Sequence, residues 1–230
     1  MSLGLILLLA VGLLIVFGVA QRVLDRMRLS DRMALLIVAA IFGTSFIPNI
    51  PLGNNFFINI GGAVIPFLLC VYLFVKAETG KEKFRAVAAA LIGGVAVYFA
   101  GRLMPAEPEA IWIDPNYVYG LLAGLAGYLL GRSRRSAFIG GVMGVLLGDL
   151  AQGIVSRTEG LTTPVQLGGG GALDAVVLSG LLAVLLAEGI GEIRERLQGG
   201  TRKKNMEYHD GHFVPVTHGK EHQRHDDADH

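Results

Sequence analysis

The sequence predicts an all-α fold, a polytopic bundle of about seven transmembrane helices with the N-terminus outside and the C-terminus inside. Three observations carry this prediction. Hydrophobic residues make up 52% of the 230-residue chain, the mean hydropathy is +0.53, and the apolar residues form long blocks with few charges. A bilayer core about 30 Å thick needs about 20 apolar residues per helix. The 32 glycines agree with this class, because small residues let membrane helices approach closely.

Apolar blocks and basic loops together define the predicted topology. The blocks are 3–20, 33–48, 57–75, 86–104, 117–131, 137–156 and 171–190. Sixteen Lys and Arg residues lie in the loops after the first, third and fifth blocks and between the seventh block and Lys204, whereas the opposite side holds only Arg102 and Arg157. Because basic loops stay on the cytoplasmic side, this asymmetry predicts an outside N-terminus and an inside C-terminus. We expect the protein in the cell inner (plasma) membrane.

The chain changes character near residue 199. We predict a transmembrane helical domain over 1–198 and a disordered cytoplasmic tail over 199–230, because the tail has too few apolar residues for a core. The tail holds all six histidines: His209, His212, His218, His222, His225 and His230. They lack a fixed ligand spacing, so we predict no metal site, with a loosely metal-buffering tail as the alternative.

Three acids lie inside predicted spans, and Glu188, near the inner end of the seventh, can reach water. The other two are the candidates. Asp149 is past the middle of the sixth span, and Asp174 is near the outer start of the seventh, so the two are expected at similar depth. Gly140, Gly144 and Gly148 form a small-residue ridge that predicts close packing of the sixth span. An acid within a membrane is costly and is a functional candidate by default.

Paired carboxylates have a specific chemistry. If Asp149 and Asp174 face each other, they share a proton, and such a pair can activate water for amide hydrolysis. The same pair can bind and release a proton or a metal ion in a transporter. Both are therefore candidate catalytic residues. The alternative for Asp174 is a helix N-cap, and for Asp149 a hydrogen bond to a neighbouring helix.

Polar side chains near these acids are candidate substrate-binding residues. Asn54, Asn55 and Asn59 lie in an uncharged, proline- and glycine-rich stretch, which is typical of the broken helices that line transporter sites. The alternative is an ordinary loop before a kinked helix. Gln152 follows Asp149 by three residues and lies on nearly the same helix face.

Two resemblances involve the acidic segments. "LLGD", ending in Gly148-Asp149, resembles the Gly-x-Gly-Asp signature of presenilin-like intramembrane aspartyl proteases, with Leu146 in place of the first glycine. In those proteases the Gly-Asp motif lies on the second catalytic helix, whereas here it precedes Leu173-Asp174.

A fuller resemblance covers roughly residues 30–195. Asn59 to Pro66, "NIGGAVIP", and the glycine-rich segment that ends at Asp174 resemble the domain of unknown function 1614 family of bacterial and archaeal multi-pass membrane proteins. In that family we expect Phe-Asp-Gly where this chain has Leu173-Asp174-Ala175. The resemblance implies a prokaryotic inner-membrane protein and carries no established activity.

The sequence favours an intramembrane aspartyl-type hydrolase with its site in the outer half of the membrane. The alternatives are a small ion- or proton-coupled transporter or channel, and a membrane assembly protein without chemistry. The expected partners are the bilayer and either a membrane-embedded peptide or a small ion. No phosphate-loop, dinucleotide-binding or zinc-finger motif occurs, so we predict no cofactor, no metal ion and no nucleic acid.

Overall fold

The computed structural model describes residues 3–17, 21–104, 114–161, 163–171, 174–197, 206–209 and 212–215. These residues are mostly helical. The helices are α1 (Leu3–Val16), α2 (Gln21–Met27), α3 (Asp31–Thr44), a π-helix (Ile60–Val64), α4 (Ile65–Val75), α5 (Gly80–Leu103), α6 (Pro115–Gly131), α7 (Arg134–Thr158) and α8 (Ala175–Leu197). The strands are β1 (Ile50–Gly53), β2 (Phe56–Ile58), β3 (Val165–Leu167), β4 (Met206–His209) and β5 (His212–Pro215).

Within the described residues, three helices are long and apolar enough to cross a membrane. They are α5, α7 and the Ala175–Ile193 part of α8, and a shorter apolar helical stretch runs over Ile60–Val75. Large hydrophobic side chains on α5 are exposed, among them Leu91 at 56% and Phe99 at 57%. Long apolar helices with an apolar outer surface indicate a membrane protein.

Helix α7 packs against α5, α6 and α8 through glycines. A Cβ on Gly93 of α5 would lie 3.4 Å from the Cα of Gly144 on α7. On α6, a Cβ at Gly127 would lie 2.5 Å from the carbonyl oxygen of Ala137, and one at Gly141 of α7 would lie 2.7 Å from that of Ser179 on α8. The close packing predicted from the small-residue ridge of the sixth span is therefore confirmed, and α7 forms the centre of the bundle.

Local signals explain where these helices begin and end. The hydroxyl oxygen of Thr79 accepts a hydrogen bond from the Glu82 N–H at 3.2 Å, and that of Ser133 accepts one from the Ser136 N–H at 3.1 Å. Each supplies an acceptor for a donor that the first helical turn leaves unpaired. Helix α6 ends at Gly131, and its C-cap, Arg132, has a φ of 60° in the left-handed region.

The described residues also contain a three-stranded sheet, which an all-α prediction lacks. Strands β1 and β2 are antiparallel, and β2 pairs in parallel with β3, with Phe56 opposite Val165. The turn between β1 and β2 is made by Asn54 and Asn55, with φ of 51° and 59°, the conformation that a two-residue hairpin loop requires. The predicted third span, 57–75, therefore begins as a strand and a π-helix.

The chain forms two compact units, Met1–Gly189 and Ile190–His230. The second unit contains the antiparallel hairpin of β4 and β5, in which His209 is opposite His212. The other four histidines of the predicted tail lie outside the described residues. The predicted boundary at 198 and the disorder of the tail stay predictions.

Candidate functional site

Asn59, one of the predicted site residues, is the N-cap of the π-helix. Its side-chain Oδ1 accepts a hydrogen bond from the Gly62 N–H at 2.9 Å, and its Nδ2 donates to Asn49 Oδ1 at 2.9 Å and to the Ile47 carbonyl at 3.3 Å. Its backbone N–H donates to the Leu167 carbonyl at 3.0 Å. Asn59 is 2% exposed, so its role here is to cap the π-helix and to join it to β3.

The π-helix packs backbone to backbone against the glycine-rich loop that follows β3. A Cβ on Gly62 would overlap the carbonyl oxygen of Gly168 and lie 2.9 Å from that of Gly171. Gly168 has a φ of +64°, and a Cβ there would overlap the Gly62 carbonyl carbon. Only glycine fits at these two positions, because a side chain would push the two segments apart. We call this contact the glycine junction, formed by Gly62, Gly168 and Gly171.

Asp174 holds this loop in place. Its Oδ2 accepts a hydrogen bond from the Gly170 N–H at 2.9 Å, and its Oδ1 accepts one from the Val176 N–H at 2.9 Å. The side chain is 6% exposed. Both oxygens thus bind backbone donors, one in the loop and one in the first turn of α8. This is the N-cap arrangement that the sequence left open as the alternative for Asp174.

Asp149 lines a cavity of about 280 Å³ between α7 and the segment that contains β3. The residue lies nine positions before the end of α7, about 13 Å along the helix axis. The other lining residues are Gln152, Gly153, Ser156, Thr163, Pro164, Val165 and Gln166. Within the described part of the chain, the Asp149 carboxylate accepts no hydrogen bond and forms no ion pair, so it is available to a ligand in the cavity.

Two amide side chains face the same cavity. Gln152 packs over Gly101 of α5, where a Cβ would overlap the Gln152 amide. Gln166 Oε1 accepts a hydrogen bond from Asn49 Nδ2 at 3.3 Å, and Asn49 Oδ1 in turn accepts from Asn59. A chain of amide hydrogen bonds thus connects Asn59 to Gln166 at the cavity, and the substrate-binding role of Asn59 stays a prediction.

Asp174 and Tyr119 both interact electrostatically with Asp149. The charge of Asp174 acts on the Asp149 carboxyl, and the charge of Asp149 acts on the Tyr119 hydroxyl. Tyr119 lies on α6 and is partly buried. The two predicted acids and Tyr119 are therefore near enough for their charges to interact.

Asn54 and Asn55 lie apart from the cavity lining. Both are exposed, and their left-handed conformations make the turn between β1 and β2. Their substrate-binding role stays a prediction, whereas the structure shows that they form the hairpin turn. Among the described residues, no group of three or more His, Cys, Asp or Glu side chains could hold a metal ion.

A family model described as a protein of unknown function (DUF1614) matches residues 11–186. The chain belongs to this family. A comparison with curated proteins finds no match, and neither does a comparison with solved structures. The resemblance to presenilin-like proteases stays a prediction that rests on Leu146 to Asp149.

Both motifs that predicted this DUF1614 membership meet in the structure. The Asn59–Pro66 segment forms the π-helix and the first residues of α4, and the glycine-rich segment supplies the other half of the glycine junction. Asp149, Asp174 and the cavity also fall within the matched residues. The candidate site is therefore part of the DUF1614 region and not of the tail.

Sequence reasoning missed Tyr119, Gln166, Ser156 and Thr163. Ser156 follows Asp149 by two helical turns, so helical periodicity predicts that both lie on the same face of α7. Tyr119, Thr163 and Gln166 lie on other elements, and no local pattern indicates which of their neighbours approach Asp149. Contacts of this kind depend on the register between segments, which the sequence alone leaves open.

Proposed function

We propose that this protein is a small membrane transporter or channel in which Asp149 binds a proton or a small cation. The observation that carries the proposal is the Asp149 carboxylate, which lines the cavity without a hydrogen-bond donor among the described residues. Gln152, Ser156, Thr163 and Gln166 line the same cavity and carry amide or hydroxyl oxygens. Oxygen ligands with one carboxylate suit a hard cation, and a carboxylate in a membrane suits proton exchange.

The proposal includes seven spans in the inner membrane, with the N-terminus outside. The spans are α1, α3, the π-helix with α4, α5, α6, α7 and α8. The excess of Lys and Arg in alternate loops supports this orientation. It puts the cavity in the outer half, because α7 then runs from inside to outside and Asp149 is nearer its end.

An intramembrane aspartyl hydrolase is the second candidate. The electrostatic interaction between Asp174 and Asp149 favours it, because a catalytic dyad requires two interacting carboxyls. It ranks second because both Asp174 oxygens already accept backbone hydrogen bonds. To share a proton or a water with Asp149, Asp174 would have to give up one of these two hydrogen bonds. Loss of the bond from the Gly170 N–H would detach the glycine-rich loop that follows β3.

Proton flux into liposomes tests the first proposal. The purified full-length protein is reconstituted with a pH-sensitive dye inside, and flux is measured under an imposed pH gradient, with Na⁺ and K⁺ gradients in parallel. We expect flux in the wild type and its loss in Asp149→Asn, which keeps the size of the side chain and removes its charge. Asp114→Asn is the matched control, because Asp114 is an exposed N-cap of α6.

Hydrolysis of a fluorescently labelled casein in detergent separates the two candidates. A dyad predicts cleavage that Asp149→Asn and Asp174→Asn each abolish, whereas a transporter predicts no cleavage and a flux that depends on Asp149. Equal flux in the wild type and Asp149→Asn contradicts the first proposal. Absence of both flux and cleavage would leave the assembly role as the remaining alternative.

A further inference from the structure

A second concave surface lies between α4, α5 and α7. It is a groove of about 250 Å³ with only apolar lining side chains, and we call it the apolar groove. One end is marked by Phe67 of α4 and Leu147 of α7, and the other by Phe74 and Ile139. Phe67 to Phe74 span about 10 Å of helix, so the apolar groove is elongated along the bundle.

The exposed walls of this groove belong to the apolar surface of a membrane protein. Val71 and Val87 are each 45% exposed, and Leu91 is 56% exposed. A groove of this kind between membrane-spanning helices cannot stay filled with water, because transfer of apolar surface out of water is favourable. Its occupant must therefore be apolar along its length.

Positive charge is concentrated at one end of the apolar groove. Lys83 is on α5, one turn before Val87, and its ammonium lies 5.6 Å from the centre of the Phe74 ring, which is itself part of the groove wall. Lys76, Lys81 and Arg85 are close to it in sequence. Lys83 forms no ion pair with the described residues, so no acid among them neutralises its charge.

The two acidic residues close to Lys83 in sequence already bind other side chains. Glu82 accepts from Arg135 at 3.2 Å and from the Ser133 hydroxyl at 2.7 Å, and Glu78 pairs with Arg28. The end of the groove near Lys83 therefore presents net positive charge beside a long apolar surface. A phospholipid with an anionic headgroup has the complementary arrangement, a phosphate next to an acyl chain.

We propose that the apolar groove binds one acyl chain of an anionic phospholipid, and that Lys83 binds the lipid phosphate. The lipid fills the gap between α4, α5 and α7, and its headgroup lies at the basic loop between α4 and α5. This site is separate from the cavity at Asp149 and does not depend on the function proposed for that cavity.

Native mass spectrometry of the full-length protein with two lipids tests this proposal. The probes are phosphatidylglycerol and phosphatidylcholine with identical acyl chains. We expect the wild type to retain phosphatidylglycerol about fivefold more tightly, which corresponds to about 1 kcal/mol for one basic residue near a headgroup. Lys83→Gln should remove this preference, and Lys81→Gln, at the exposed neighbouring lysine, should leave it unchanged.

A second pair of variants tests the groove itself. Val87→Trp should fill it and reduce retention of both lipids, whereas Val95→Trp should not, because Val95 is 56% exposed on the same helix but outside the groove. Three results would overturn the proposal. They are equal retention of the two lipids by the wild type, an unchanged preference in Lys83→Gln, and a lipid-free dimer that Val87→Trp dissociates, which would assign the groove to a second copy.

Discussion

Asp149 and Asp174 differ in what surrounds their oxygens. Asp174 gives both oxygens to backbone N–H groups, and Asp149 faces a cavity with none among the described residues. The first arrangement stabilises a fold, and the second leaves a charge available to a ligand. Substitutions at the two acids should therefore affect different properties of the protein.

Removal of the Asp174 carboxylate should lower stability. Asp174→Ala leaves the buried Val176 N–H and the Gly170 N–H without their acceptors, and we expect a loss of about 1–3 kcal/mol in the free energy of unfolding. The measurement is denaturant unfolding in detergent. Asp114→Ala removes an exposed N-cap as the control and should cost about 1 kcal/mol or less. An equal loss in the two variants would contradict the structural role of Asp174.

For single residues, the sequence identifies candidate functional side chains better than it identifies the residues that surround them. An acid inside an apolar helix marks Asp149 from the chain alone, because the free-energy cost of that charge needs a compensating role. The sequence also offered the N-cap alternative for Asp174, which its hydrogen bonds match. The proximity of Tyr119 to Asp149 could not be predicted, because it depends on the register between α6 and α7.

At the scale of elements, the glycine junction joins two segments that are far apart in sequence. Gly62 is in the π-helix, and Gly168 and Gly171 are in the loop after β3. Backbone atoms are in contact there, and backbone cannot move aside as the end of a flexible side chain can. The spacing of glycines in α6 and α7 predicted close helix packing, but nothing in the sequence paired these two segments.

Addition of a methyl group at the glycine junction should disrupt it. In Gly62→Ala the new Cβ would overlap the Gly168 carbonyl oxygen, and we expect a loss of at least about 2 kcal/mol in the free energy of unfolding. Gly43→Ala is the matched control, because a Cβ there has nothing within 4 Å and helical alanine is favoured by up to about 1 kcal/mol. Unfolding midpoints in detergent measure both. A tolerated Gly62→Ala would exclude tight contact at the junction.

The strands show where helix-based prediction fails. Phe57 and Ile58 are the first two residues of the predicted third span, 57–75, so hydropathy alone assigns them to a helix, although they lie in β2. Their partners in β3 are distant in sequence, and the turn at Asn54 and Asn55 sets the hairpin. A short apolar run is ambiguous between strand and helix until its partner is known.

For the whole molecule, charge distribution predicts the orientation of the proposed seven spans. A fluorescent protein fused after His230 should fluoresce, because it folds inside the cell. Alkaline phosphatase inserted after Gly160, an exposed residue beyond the end of α7, should be active, because this enzyme requires the outside. Loss of both signals would reverse the orientation, and one signal without the other would change the number of spans between the two reporters.

The parallel pairing of β2 with β3 has a consequence for biogenesis. Phe56 emerges from the ribosome well before Val165, so the edge of β2 and the π-helix lack their partners while about half of the chain is being synthesised. Long-range pairing of this kind is slow, and unpaired strand edges invite wrong contacts. The helices can therefore insert one after another, but the end of the bundle that contains the glycine junction closes only after the loop that leads into α8 has been made.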